Sequence, residues 1–193
     1  DKKILKFLTA GLKDGKTMDD KFGLGRTSIA CKDLHPLQSE VDISKSLNFP
    51  LKDPKTAEIT LRGENVILGG IPLVTFNKNY IIDGHHRWSQ TFCFNPNAQM
   101  LVLNLTKANT SPIDALKSTQ VAVAAATGDI PVENVEGHNL FTAPREVVIE
   151  FDHSIITEEV VKVFDIVKGL KTVEEIAEYI WHNSEILQKN NKP

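Results

Sequence analysis

Short runs of apolar residues along the chain predict a small set of β-strands. The strongest are residues 71–76 and 80–82, because both are rich in strand-forming residues and the turn-forming run Asn77 to Asn79 separates them. This pattern is typical of a β-hairpin. The other predicted strands are residues 27–30, 59–61, 66–68, 100–103 and 145–151.

Apolar residues spaced three and four apart predict the helices. A first helix covers residues 2–12, and a glycine-rich connector follows it. Ser111 and Pro112 are a strong start signal for a helix that ends near Gly128. Further helices are predicted over residues 85–94, 157–168 and 172–188, the last beginning with a capping box.

The helix over residues 85–94 should end before Pro96, because proline blocks continuation of a helix. Within it, the spacing directs Trp88 and Phe92 toward the core. The polar side chains on the outward face are predicted to be Arg87, Ser89 and Gln90.

The order of these elements predicts an α+β fold, a small mixed sheet with flanking helices and a C-terminal helical extension. Three segments follow from it. Residues 1–26 form an N-terminal helix and flexible connector, residues 27–127 form the central domain, and residues 128–193 contain a C-terminal strand and a helical hairpin.

Composition and charge narrow the class of protein only moderately. The chain has 193 residues, is 41% hydrophobic and carries a formal net charge of −3. The charge does not support a nonspecific nucleic-acid coat, although a local basic patch stays open. Cys31 and Cys93 have neither metal-ligand spacing nor a disulfide pattern, which favours a reducing compartment.

No apolar run is long enough to cross a bilayer, so the expectation is a cytoplasmic protein without a membrane partner. The chain begins with Asp1 and not with Met, which leaves a removed leader open.

The run Asp83-Gly84-His85-His86-Arg87 carries the candidate chemistry. A strand meets a glycine turn and then a helix, whose N-terminus presents unpaired N–H groups and a partial positive charge. Arg87 adds a fork of donors that matches phosphate oxygens. The pattern predicts an anion site. The alternative is an ordinary Asp-Gly turn with surface polar residues and a buried tryptophan.

Neighbouring histidines on a helix point about 100° apart, so His85 and His86 are poorly placed to hold one metal ion. We interpret them as donors to phosphate. In the loop that follows the predicted strand at residues 27–30, Glu40 and Asp42 could serve as a general base or hold Mg²⁺ that accompanies a polyphosphate. Their alternative role is ordinary, since Asp42 or Ser44 can cap a helix.

The same motif resembles the ParB/sulfiredoxin-like superfamily, in which a strand, a glycine turn and a helix with a G-x-x-R signature form a nucleotide site. The resemblance covers residues 27–106 and includes three runs, Leu34-His35-Pro36-Leu37-Gln38, Gly70-Ile71-Pro72-Leu73-Val74 and Asn79-Tyr80-Ile81-Ile82-Asp83-Gly84. Sulfiredoxins have a cysteine where this chain has His85, so sulfinic-acid reduction lacks its nucleophile. The D-G-H-H-R variant is similar to free-serine kinases and to phage ParB-like proteins.

The resemblance implies a nucleoside triphosphate or diphosphate with Mg²⁺ as ligand. Its phosphates would contact Gly84, His85, His86 and Arg87. The implied catalytic residues are Glu40, Asp83, His85 and His86, with Glu40 and Asp42 near the metal.

Three functions stay open at this point. The first is a nucleotide hydrolase, a phosphotransferase acting on a small hydroxyl compound, or a ParB-like nuclease. The second is a nucleotide-sensing or nucleic-acid-associated binding protein without turnover. The third is a phage or mobile-element structural protein that has lost activity, and a homo-oligomer is compatible with each.

The C-terminal segment bears on these alternatives. Its last helix is acidic, which disfavours contact with DNA and favours a packing hairpin or a partner surface with Tyr179 and Trp181 as anchors. An acceptor pocket is predicted from residues 113–126 and 134–144. His138 and Arg145 there are weaker site candidates.

Overall fold

The computed structural model describes residues 22–128 and 137–191. They form a five-stranded mixed sheet and seven α-helices, which confirms the α+β class. The strands are β1 (Gly23–Ala30), β2 (His35–Pro36), β3 (Leu73–Phe76), β4 (Tyr80–Asp83) and β5 (Gln99–Thr106). The helices are α1 (Ile43–Leu47), α2 (Pro54–Arg62), α3 (His85–Phe94), α4 (Pro112–Thr127), α5 (Arg145–Ile155), α6 (Glu158–Lys168) and α7 (Val173–Asn190).

The sheet has the spatial order β1-β5-β3-β4-β2. β1 pairs antiparallel with β5, β3 parallel with β5, and β2 parallel with β4. The predicted hairpin is confirmed, because β3 and β4 are antiparallel neighbours. Its turn holds Asn77 and Lys78 at φ 46° and 77°, the left-handed region that such tight turns require.

Capping residues in the sequence correctly predicted where several helices begin and end. Ser111 accepts a hydrogen bond from the Asp114 amide at the start of α4, and Gly128 ends that helix at φ 86°. The capping box of Thr172 and Glu175 begins α7. The predicted helix over residues 85–94 is α3, with the same bounds.

Three strand predictions are wrong. Residues 145–151 belong to α5, and residues 59–61 belong to α2, which Asp53 caps by accepting from the Thr56 amide. Residues 66–68 contribute an isolated bridge between Val66 and Met100 and no strand. The predicted helix over residues 2–12 lies outside the described residues.

The C-terminal helices share the core of the sheet domain. Phe94 on α3 packs against Phe164 on α6 with ring centroids 5.4 Å apart. Asn183 on α7 donates to the Cys93 carbonyl oxygen at 2.8 Å, and Tyr179 donates to the Phe94 carbonyl oxygen at 2.7 Å. Tyr179 therefore serves an internal contact, and α6 and α7 are a packing hairpin that buries one side of α3.

The outward face predicted for α3 is partly wrong. Trp88 and Phe92 are buried as expected, but Ser89 and Gln90 are buried as well. The Ser89 hydroxyl lies 2.8 Å from the Ser46 hydroxyl, and Gln90 donates to the Lys45 carbonyl oxygen at 2.8 Å. These contacts attach α1 to α3, so α3 is covered on both sides.

Within the described ranges, none of the helices is both long and apolar enough to cross a membrane.

One buried acid stands out in this core. Asp152 on α5 is fully buried, and neither carboxyl oxygen has a hydrogen-bond partner among the residues that the structure describes. Burial raises the pKa of Asp152 well above its usual value, because the charged form loses its water. Its charge also contributes to a raised pKa of the Cys93 thiol, although burial is the larger cause there.

We expect Asp152 to lower stability as the pH rises. A carboxyl whose pKa is raised by folding stabilises the folded state fully only below the pKa that it has in the unfolded chain. This stabilisation is lost as the pH rises through the pKa that it has in the folded protein. Replacing Asp152 by Asn removes the titration. Urea denaturation from pH 5 to pH 9 should show the wild-type stability falling relative to Asp152→Asn, by up to about 1.4 kcal/mol per pH unit between the unfolded and the folded pKa, and levelling off above the folded pKa.

Asp165→Asn on the exposed face of α6 is the matched control, since it removes a carboxylate that is already solvated. Parallel pH profiles for the wild type and Asp152→Asn would contradict the prediction.

Candidate functional site

The turn between β4 and α3 favours glycine, both in its backbone angle and in the space around it. Gly84 has φ 98°, a conformation that side chains with a Cβ rarely adopt. A Cβ there would lie 2.4 Å from Leu73 Cδ2 and 2.9 Å from Arg87 Nη2. The guanidinium of Arg87 therefore crosses directly over Gly84 at the start of α3.

Protein acceptors hold this guanidinium in place. Nη2 donates to Asp83 Oδ2 at 2.7 Å, and Nη1 donates to the carbonyl oxygens of Ile71 and Pro72. The Arg87 side chain is 21% exposed and that of Asp83 is 65% exposed. A cation and the positive end of a helix thus lie close together, and the Asp83 carboxylate is the anion that pairs with the cation. A phosphate that bound here would take the place of that carboxylate.

His85 is buried and does not face an open site. It is 3% exposed, and its Nε2 accepts a hydrogen bond from the Leu37 amide at 3.1 Å. Burial and the neighbouring His86 lower the pKa of His85 to about 4, against an opposing hydrogen bond to the Ile81 backbone. At neutral pH the ring is uncharged and acts as an acceptor. The structure thereby assigns His85 to holding the loop, in place of the predicted phosphate contact.

His86 has a similar contact at the other end of the same loop. Its Nε2 accepts from the Asp42 amide at 3.4 Å. Burial and the nearby Lys45 lower the pKa of His86, and Asp42 opposes that shift. Together the two imidazoles attach residues 37–42 to the first turn of α3. Sequence analysis missed this role, because nothing local links the histidines to a loop more than 40 residues away.

The two carboxylates of that loop have different environments. Asp42 is the N-cap of α1, where Oδ1 accepts from the Ser44 hydroxyl at 2.7 Å and from the Lys45 amide at 3.0 Å. Burial alone would raise the pKa of Asp42, but these hydrogen bonds lower it overall. Glu40 is partly exposed in the same loop. The capping alternative for Asp42 is therefore present in the structure.

The predicted metal ligands do not form a cluster. Across residues 22–128 and 137–191, no group of three or more His, Cys, Asp or Glu side chains is placed to hold a metal ion. Mg²⁺ commonly keeps several waters and binds through substrate phosphates with one or two carboxylates. A metal ion at this site would therefore be held through the phosphates of a bound nucleotide and one or two carboxylates.

A cavity of about 460 Å³ adjoins the loop. It lies between α1 and α5, and its lining includes Asp42, Ser44, His138, Glu150 and Phe151. Of the weaker candidates, His138 is at this cavity, whereas Arg145 forms an ion pair with Glu178 on α7. The predicted contribution of residues 134–136 lies outside the described residues.

No family model, curated protein or solved structure matches the chain. The resemblance to the ParB/sulfiredoxin-like superfamily therefore stays a prediction that rests on the motif and its flanking runs.

Proposed function

We propose that the protein binds the phosphate tail of a nucleotide at the N-terminus of α3 and acts on it as a ParB-like hydrolase or phosphotransferase. The single observation that supports this most is the position of Arg87, whose guanidinium lies over Gly84 beside the first turn of a ten-residue helix. Such an arrangement stabilises an anion.

The donors for a phosphate come from two sources. The N–H groups of His85, His86 and Arg87 belong to the first helical turn, which has no intrahelical acceptors, and Gly84 provides no side-chain cap. Arg87 supplies the second source once Asp83 moves away. A phosphate offers more acceptor oxygens than the Asp83 carboxylate, so the exchange improves the pairing of these donors.

Chemistry at this site would involve Asp83 and the loop. The exposed Asp83 carboxylate, once a phosphate has displaced it from Arg87, would be free to serve as a general base or as a single carboxylate ligand to Mg²⁺. Glu40 is carried on the loop that His85 and His86 attach to α3. The cavity at Asp42 and His138 is the position that we assign to a small phosphate acceptor.

A sensor without turnover is the second candidate. The observation that favours it is the capping role of Asp42, which engages one of the two proposed metal carboxylates in α1. In that case the nucleotide would exchange with Asp83 and alter the loop without reaction.

We expect Arg87→Ala to weaken nucleotide binding about tenfold to a hundredfold, the usual loss for a charged hydrogen-bonding partner of about 1.5–3 kcal/mol. Isothermal titration with ATP, ADP and CTP, with and without Mg²⁺, measures this. Arg62→Ala is the matched control, because Arg62 forms the same i,i+4 ion pair with Glu58 on the exposed side of α2.

Asp83→Asn separates the two candidates. Removal of the competing carboxylate should tighten nucleotide binding whether the protein is an enzyme or a sensor. It should abolish product formation only if Asp83 takes part in the reaction. Absence of binding by any of the three nucleotides, or equal losses for Arg87→Ala and Arg62→Ala, would overturn the proposed site.

A further inference from the structure

A second cavity, of about 780 Å³, lies near the start of β4, whereas Gly84 follows the end of that strand. Its walls are β1, the 3₁₀ turn Cys31–Asp33 and the turn between β3 and β4. The cavity is separate from the proposed nucleotide site at Gly84 and Arg87.

The charged side chains of this cavity are mostly basic. Arg26, Lys32 and Lys78 line it, and Asp33 is the one acid in the lining. In the part of the chain that the structure describes, none of these three cations is ion-paired with a carboxylate, whereas Arg62, Arg87 and Arg145 are. The cavity is a local positive region on a chain with a net charge of −3. Such a region selects an anionic ligand.

Hydrogen bonds fix the backbone that carries these cations. The Lys78 amide donates to Asn104 Oδ1 at 2.6 Å, and the Lys32 amide donates to the Pro96 carbonyl oxygen at 2.9 Å. Arg26 lies opposite Leu103 in the β1–β5 ladder. The three basic residues consequently line one concavity from fixed backbone positions.

Aromatic and amide side chains accompany the charges. His35 lines the cavity. Tyr80 lies beside the lining, with its ring centroid 5.9 Å from that of His35, and is 37% exposed. Asn79 and Gln99 also line it and offer both donors and acceptors. Exposed aromatic rings stack on nucleobases, and amides pair with base edges.

We propose that this cavity binds a short single-stranded nucleic acid. Phosphates would contact Arg26, Lys32 and Lys78, and a base would stack at the His35–Tyr80 pair. A single strand is favoured over a duplex because the cations line a concave space and because only unpaired bases can stack on a protein ring. The proposal is independent of the nucleotide site at Arg87.

The test is fluorescence anisotropy of a labelled ten-nucleotide oligothymidylate with the full chain. Three phosphate contacts predict a slope of log K against log salt of about −2, so binding should weaken about 20-fold from 50 to 200 mM salt. The double variant Lys32→Gln/Lys78→Gln should bind about tenfold more weakly at the lower salt. Arg62→Gln/Lys189→Gln, which removes two exposed charges elsewhere, should bind like the wild type.

Base stacking is tested separately. Tyr80→Ala should weaken binding about fivefold or more, whereas Tyr80→Phe should retain it. Arg87→Ala should leave oligonucleotide binding unchanged, and Lys32→Gln/Lys78→Gln should leave ATP binding unchanged, which keeps this proposal distinguishable from the first.

Three results would overturn the proposal. They are equal binding by a duplex of the same length, equal competition by inorganic polyphosphate and oligonucleotide, and equal losses for the two double variants. Both double variants alter exposed side chains, and an unchanged thermal midpoint verifies that each is folded.

Discussion

Replacing Gly84 by Ala is expected to destabilise the protein by about 2–5 kcal/mol and to displace the Arg87 guanidinium. Two costs add. A residue with a Cβ loses about 1–2 kcal/mol in the left-handed region, and forcing a methyl group into an occupied space costs about 1–3 kcal/mol more. Two side chains occupy the space that the methyl group would take, because the new Cβ would lie 2.4 Å from Leu73 Cδ2 and 2.9 Å from Arg87 Nη2. Urea denaturation measures the loss.

Gly169→Ala separates the two costs. Gly169 has a similar left-handed φ of 75°, but no atom lies within 4 Å of an added Cβ. We expect that variant to lose only the conformational part, about 1–2 kcal/mol. If both variants lose the same stability, Gly84 is required for its backbone angle alone and does not determine where Arg87 lies. Nucleotide titration of Gly84→Ala then shows whether a displaced guanidinium still binds phosphate.

The second large effect is the acid sensitivity that His85 gives the fold. Its pKa is about 4 in the folded protein, against an ordinary value of 6.5. A histidine whose pKa is lowered by folding stabilises the folded state fully above the unfolded value, and this contribution is lost as the pH falls to the folded value. The difference corresponds to about 3 kcal/mol, lost between pH 6.5 and pH 4.

Chemical denaturation at several pH values compares the wild type with His85→Gln. Glutamine does not titrate, and its amide can accept from the Leu37 amide as the imidazole does. The wild type should lose stability relative to His85→Gln as the pH falls through this window. His153→Gln, at an exposed position on α5, controls for loss of a histidine as such. A wild-type profile parallel to that of His85→Gln would show that protonation of this ring is not coupled to folding.

His85 and Asp152 act in opposite directions on the pH profile. Burial lowers the pKa of the imidazole and raises that of the carboxyl, because in both cases it disfavours the charged form. His85 therefore limits stability at low pH, and Asp152 limits it at higher pH. Comparing their single variants with the double variant tests whether the two effects add, which we expect because His85 and Asp152 lie on different helices and, among the described residues, no hydrogen bond or ion pair joins them.

Much of the fold was predictable from the sequence, but α5 was not. Residues 145–151 alternate apolar and polar well enough for a strand, and their β-branched residues favour one. The same segment places Val148 and Asp152 four residues apart, on one helical face, and both are buried in the structure. Packing against α7 favours the helical spacing over the strand-like alternation. For α2, by contrast, the Asp53-Pro54 start signal was present in the sequence and points to the helix that the strand prediction overlooked.

What the sequence by itself determined is the set of local decisions: the hairpin turn at Asn77 and Lys78, the glycine at position 84 and the caps at Ser111 and Thr172. Each depends on atoms within about four residues, so the pattern of neighbours is sufficient. Only the tertiary structure decided what the histidines do. Their acceptor atoms face backbone amides 48 and 44 residues away, at Leu37 and Asp42, and burial there lowers the pKa of both rings. Solvent exclusion and partners distant in the chain are properties of the packed molecule, and no local pattern encodes them.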